Sequence, residues 1–184
     1  MVSEMNLKYI LLVFILKYNL KVDSQSININ RCYEFINLKN AQDTTKEFNL
    51  QDLATNKGLL NDTAKIFKDT TFNENDIIYI RKQIAEINRK KYKWDANKIK
   101  GAKIIKYNLV KRAFSKFGNG WKTLNKKNIN SFVTYSVPIF SEDGKICIIA
   151  TSFKCGNNCL IGGVYVYRLK NSKWIYQKSY TRWM

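Results

Sequence analysis

The last third of the chain constrains the fold most, because it reads as strands separated by turns. Runs at residues 131–136, 146–153, 162–169 and 173–180 are separated by Glu142-Asp143-Gly144-Lys145, Cys155-Gly156-Asn157-Asn158-Cys159 and Lys170-Asn171-Ser172. Val164 and Val166 alternate with Tyr165 and Tyr167, the period of a half-buried strand. Residues 146–150 are apolar throughout, as a strand covered on both faces should be. The Asp143-Gly144 pair suits the positive φ of a tight hairpin. Pro138 has no N–H for a ladder and belongs at an edge or bulge. Gly162-Gly163 marks a place where backbones come close. Trp183, next to the last residue, is expected to dock rather than stand in water.

Upstream, residues 75–92 are the best helix. Ile77, Ile80, Ile84 and Ile87 recur at helical spacing and define one apolar face. Asn73 is a suitable cap, Glu74 and Asp76 complement the positive end of the helix dipole, and Arg89, Lys90 and Lys91 complement the other. Trp94 is expected to anchor this unit to the sheet. Residues 104–117 allow a helix or a strand pair, followed by a turn at Gly118-Asn119-Gly120. Residues 27–70 carry scattered apolar positions without a clear period. Taken together, the pattern predicts an α+β fold: an antiparallel β-meander of four to five strands packed against one main amphipathic helix, with an irregular or helical N-terminal region.

Residues 1–26 resemble an export signal. Lys8 precedes an apolar run at residues 9–16 (YILLVFIL), which Lys17 ends well short of the ~20 residues that span a bilayer. No transmembrane helix is expected. Residues 27–184 are then one α+β domain with a basic part at 77–184, delivered to the periplasm or the extracellular space. Cys32 follows Arg31, which does not fit a lipoprotein signal.

Composition narrows the chemistry. There is no histidine, which excludes His-dependent serine and cysteine hydrolases and His-ligated zinc. Residues 77–184 hold 23 Lys/Arg against 4 Asp/Glu, whereas residues 1–76 hold 9 against 10. A field of this sign attracts polyanions. Lysine outnumbers arginine 26 to 6, so diffuse attraction is favoured over the bidentate recognition that arginine supplies. The basic stretch Lys90, Lys91, Lys93, Lys98, Lys100, Lys103, Lys106, Lys111 and Arg112 is interleaved with Tyr92, Trp94 and Tyr107. Such a mixture is a candidate site for weak binding of nucleic acid or acidic polysaccharide.

An oxidising compartment permits disulfides, and Cys155 and Cys159 flank three residues at a hairpin tip, close enough to bridge. Cys147 lies in an apolar run and reads as a small hydrophobe, and Cys32 is either free or paired with Cys147. Only one close cysteine pair exists, so no metal site is implied. Gly156, Gly162 and Gly163 sit at a β-turn rather than between a strand and a helix, so they form no phosphate loop, and no cofactor is implied.

The elements Tyr135-Ser136-Val137-Pro138-Ile139-Phe140-Ser141 with Asp143-Gly144, Cys155-Gly156 with Cys159, Gly162-Gly163, Lys173-Trp174 and Trp183 resemble a group of uncharacterised exported bacterial proteins. Asn75-Asp76-Ile77-Ile78-Tyr79-Ile80 with Gln83, and Lys93-Trp94-Asp95, extend the resemblance to about 110 residues. The chain departs from that group at Cys159-Leu160, where a second Cys-Gly is usual. The resemblance implies an exported α+β domain and supplies no catalytic residues.

Three functions follow for weighing. The preferred one is an exported, non-enzymatic domain that binds a ligand or serves a structural role, with a cleft between the 75–92 helix and the sheet lined by Tyr79, Tyr135 and Tyr165. The second is polyanion binding through residues 89–112. The third is a carboxylate hydrolase. Its candidates, Glu86, Asp95, Glu142 and Asp143, show no spacing that sets two acids across a cleft.

Overall fold

A computed structural model describes residues 27–42, 47–115, 120–157 and 159–184. The expected export signal and most of the Gly118-Asn119-Gly120 turn lie outside the described residues. In chain order the elements are α1 (Ile29–Gln42), β1 (Phe48–Gln51), α2 (Lys57–Asn61), α3 (Thr63–Phe67), α4 (Glu74–Arg89), a 3-10 turn (Ala96–Lys98), β2 (Ala102–Ile105), α5 (Tyr107–Ser115), α6 (Gly120–Asn125), β3 (Phe132–Tyr135), β4 (Ile139–Phe140), β5 (Ile146–Lys154), β6 (Leu160–Lys170) and β7 (Lys173–Trp183).

The strands form one seven-stranded sheet in the order β2-β1-β3-β5-β6-β7, with β4 also paired to β5. The C-terminal strands are antiparallel, but β1 runs parallel to both β2 and β3. The fold is therefore α+β with a mixed sheet, which corrects the expectation of a purely antiparallel meander of four to five strands. The reason is physical. A parallel pair needs a long crossover, here the α2–α3–α4 segment between β1 and β2, and β1 and β2 are four residues each. Nothing local in such short runs announces a partner some fifty residues away.

Turn chemistry sets the register of the rest. Lys170 pairs with Lys173 across Asn171 and Ser172, both at positive φ (48° and 59°), as a two-residue hairpin demands. Gly144 (φ 68°) closes the turn before β5, where its N–H donates to Ser141 O at 2.9 Å. Pro138 falls in the gap between β3 and β4, so no ladder bond is lost.

The N-terminal region contains a clear helix. α1 packs through Phe35 (1% exposed), whose ring meets Phe140, Tyr167 and Trp174 edge-on at 6.2, 5.6 and 5.0 Å. Edge-on aromatic pairs are worth ~0.5–1.5 kcal/mol each beyond area burial. Cys32, in the same helix, donates from Sγ to Pro138 O at 3.6 Å. Cys32 and Cys147 are buried free thiols, and burial, partly offset by Arg31, pushes Cys32 up to about 12. α4 begins with a reciprocal cap: Asp76 N donates to Asn73 Oδ1 (2.8 Å), and Asn73 N donates to Asp76 Oδ2 (3.2 Å). Its Ile80 and Ile87 are buried in one cluster with Ile139, Ile148 and Val166, and Ile77 and Ile84 are half-buried against it. A smaller cluster joins Ile105, Val110, Ala113, Trp121, Leu124 and Phe132 beneath α5 and α6.

Candidate functional site: a groove on the sheet

Cross-strand partners project on the same side of a sheet. Val133, Phe153 and Ile161 form one such row, Tyr135, Thr151 and Gly163 the next, and Ile149 with Tyr165 the one beyond. α1 covers this face further along, through Phe35 on Tyr167. Where α1 ends, the face opens into a groove of about 270 Å³. Its walls come from Lys39 and Asn40 of α1, Phe48 of β1, Val133 and Tyr135 of β3, Thr151 and Phe153 of β5, and Ile161 and Tyr165 of β6.

Two local features shape it. The first is the Gly162-Gly163 pair. A Cβ on Gly163 would collide with Thr181 O and lie 3.0 Å from Tyr165 Cζ, so the missing side chain lets β7 come close and the Tyr165 ring lie across the strand. A Cβ on Gly162 would collide with the Trp183 indole on the other side and with Thr151 O. This is how the last strand docks. The second is Asn40, 6% exposed, whose Oδ1 accepts from the Tyr135 hydroxyl at 3.0 Å. Its Nδ2 is buried with no hydrogen-bond partner among the described residues, and an unmet buried donor costs about 1–3 kcal/mol. Beyond the groove, Arg182 Nη2 donates to the Tyr176 hydroxyl at 2.7 Å and Arg182 Nε to Ser179 Oγ at 2.9 Å. Hydrogen bonds from Ser179 and Arg182 hold the Tyr176 phenol below its ordinary range, while burial raises Tyr165.

Of the three tyrosines expected to share a cleft, Tyr135 and Tyr165 line this groove and Tyr79 does not. Tyr79 sits on α4, and α1, not α4, forms the groove wall. The cleft expected between the 75–92 helix and the sheet is a different place from this groove. Asn40, Phe48, Thr151 and Ile161 went unread because they converge only once α1 and β1 dock. Alternation in β3 and β6 was the available signal.

The nine candidate polyanion residues are all exposed. Several are already engaged. Lys90 meets Glu86 (3.2 Å), Lys103 meets Glu47 (2.6 Å), Lys106 lies 3.8 Å from Asp52, and Lys98 stands 5.3 Å from the centre of the Tyr33 ring. Lys91, Lys93, Lys100, Lys111 and Arg112 face solvent on the same stretch of chain. Trp94 is 4% exposed and edge-on to Tyr33 at 5.7 Å.

The acids hold the scaffold. Asp52 Oδ1 accepts from Tyr107 N at 2.7 Å, at the start of α5, and Asp76 Oδ1 accepts from Glu142 N at 2.9 Å. Asp62 accepts from Thr181 Oγ1 at 2.8 Å. Asp69 accepts from Lys178 Nζ at 2.6 Å, from Thr71 N at 2.9 Å and from the Tyr180 hydroxyl. Burial pushes the Asp69 carboxyl up, but hydrogen bonds from Lys178, Tyr180 and Thr71 outweigh it and hold it at about 2. Burial and the bond to Asp69 push Tyr180 up. Glu86 accepts from Tyr92 at 2.5 Å and from Ile27 N at 3.2 Å, and Asp95 caps the 3-10 turn through Asn97 N at 3.0 Å. Asp143 is held down by its bonds from Lys145 N and Ser141 Oγ. Among the described residues no group of three or more Cys, Asp or Glu is placed to hold a metal ion, and no helix is long and apolar enough to cross a membrane.

Cys155 and Cys159 form a disulfide across the β5–β6 hairpin tip, with Cα atoms 5.0 Å apart and Cys155 N donating to Cys159 O at 3.0 Å. Fold and groove define a mixed-sheet α+β protein with an aromatic recess on one face. No protein-family model, curated protein or solved structure matches the chain.

Proposed function

We propose that residues 27–184 form one exported, non-catalytic binding domain and that its ligand seat is the groove beside the end of α1. The observation that carries this reading is the groove's makeup: apolar and aromatic walls with a few convergent polar groups, the usual composition of a ligand site. A ligand that places an aromatic or branched group between Tyr135 and Tyr165 fits these walls, and a small turn of the Asn40 amide would bring its unpartnered Nδ2 to a ligand carbonyl. At about 270 Å³ the groove suits one such group rather than a cofactor. Support for export comes from the apolar N-terminal run, from the disulfide, and from the resemblance to exported bacterial proteins.

N-acetyl-phenylalaninamide has the required ring and amide and serves as the probe. With carbon-13 in the tyrosine rings, millimolar probe is expected to shift the NMR signals of Tyr135 and Tyr165 and leave Tyr79 unmoved. Thr151→Phe, which fills the groove, should abolish the shifts. Signals of Tyr135 and Tyr165 that stay fixed, or that shift equally in Thr151→Phe, would remove this reading.

A further inference from the structure

Between Asp95 and Glu142 the chain carries ten Lys/Arg and no Asp/Glu. That stretch supplies β2, α5, α6 and β3, so the β2 end of the sheet is built from neutral and cationic residues. The acids that offset part of its charge, Glu47 and Asp52, are borrowed from before it. Lys111, Arg112, Lys122 and Lys126 have no carboxylate within 4.0 Å among the described residues.

Helical geometry gathers this charge. Asn108, Lys111, Arg112 and Ser115 stand at i, i+3, i+4 and i+7 on α5 and line a shallow depression, while Val110 and Ala113 on the opposite side are buried. Lys122 and Lys126 line a second depression on α6. At the border of the α5 faces, Phe114 is 48% exposed. Its ring is edge-on to Trp121 at 5.7 Å and lies over Gly120, where a Cβ would collide with it. A large hydrophobe is thus held at the surface beside cations that meet no described carboxylate.

Binding of single-stranded nucleic acid needs aromatic platforms and is strengthened by arginine. Here Trp94 and Trp121 are 4% and 8% exposed, and the Tyr92 hydroxyl is held by Glu86. Arg112 is the one arginine of the ten cations, and its Nε donates to Asn108 O at 3.3 Å. Diffuse lysine charge with a protruding hydrophobe is instead what an anionic membrane surface recognises.

We propose that the α5–α6 face docks on an anionic lipid bilayer, with Lys111, Arg112, Lys122 and Lys126 meeting headgroup phosphates and Phe114 entering the acyl boundary. This surface is separate from the groove and does not depend on the groove binding anything.

The test is co-sedimentation of the full chain with phosphatidylcholine vesicles, with and without phosphatidylglycerol. Binding should require phosphatidylglycerol and weaken with salt. Lys111→Gln with Arg112→Gln should lower the partition coefficient about 25-fold, about fivefold per charge. Phe114→Ser should lower it about fivefold or more, and Phe114→Leu should restore most of that. Absence of binding to the anionic vesicles at low salt, or binding unchanged in the charge variant, overturns the proposal. So does a charge effect with no effect of Phe114→Ser, or a single-stranded oligonucleotide bound more tightly than the vesicles. If Phe114→Ser fails to fold, the Leu variant and the charge pair carry the test.

Discussion

Gln83 closes the open side of β4, and its removal gives a calculable loss. The side chain is 1% exposed, its Nε2 donates to Phe140 O at 2.7 Å, and its Oε1 accepts from Phe140 N at 3.0 Å. An amide of α4 thus replaces the strand that β4 lacks on that side. Gln83→Leu keeps the bulk and strands two buried backbone groups. Each unmet group costs about 1–3 kcal/mol, so a loss of about 2–6 kcal/mol is expected. Urea unfolding measures it as a lower midpoint at unchanged slope. Gln83→Glu separates the two bonds. Its carboxylate still accepts from Phe140 N but opposes Phe140 O. Protonation restores a donor, so the folded state raises that carboxyl above its unfolded value of about 4.3. The variant should be poorest at neutral pH and recover as the pH falls toward that value. A Leu variant within about 0.5 kcal/mol of wild type, or a Glu variant indifferent to pH, would refute the reasoning.

Asp69→Asn should lower stability at neutral pH on the order of 2 kcal/mol, discounted because its partner Lys178 is 40% exposed. The folded carboxyl, at about 2, lies below its unfolded value of about 3.9, so its contribution is full above the latter. Wild type should lose it as the pH falls through the folded value, and the two chains should converge in acid on thermal melts. Replacing Cys155 and Cys159 together by serine should cost at most about 2 kcal/mol, because the bond closes a loop of only five residues. Gly162→Ala should lower the melting temperature far more than Gly156→Ala. The first collides with Thr151 O and Trp183, whereas the second adds only a positive-φ strain of ~1–2 kcal/mol in open space.

Those parts of the fold encoded by neighbouring residues were legible. Asn73 and Asp76 announced the start of α4, and the Val164–Tyr167 alternation and the Asn171-Ser172 turn announced β6 and β7. The sequence alone did not reveal α1, whose helical face mixes Cys32, Tyr33, Phe35 and Ile36 with buried Asn40, because its apolar positions take meaning only against the aromatic sheet face. The parallel strands β1 and β2 were hidden for the reason given above, pairing across a crossover. The groove shows both cases. Tyr135 and Tyr165 were read from strand alternation, whereas Asn40 and Phe48 reach it only through tertiary docking. Among the basic residues, the sequence marked the charge and Trp94 as a packing residue, which is buried, but nothing in it marked Phe114 as exposed.

Thiol reactivity at one engineered position tests the groove most directly. Cys32 and Cys147 are buried, and burial pushes both thiols up, so neither competes for a thiol reagent in the folded chain. Thr151→Cys places a thiol on the groove floor. This thiol should react readily with a maleimide, and N-acetyl-phenylalaninamide should slow the reaction. A thiol at 151 as inert as Cys147, or one whose rate the probe leaves unchanged, would contradict a ligand seat there.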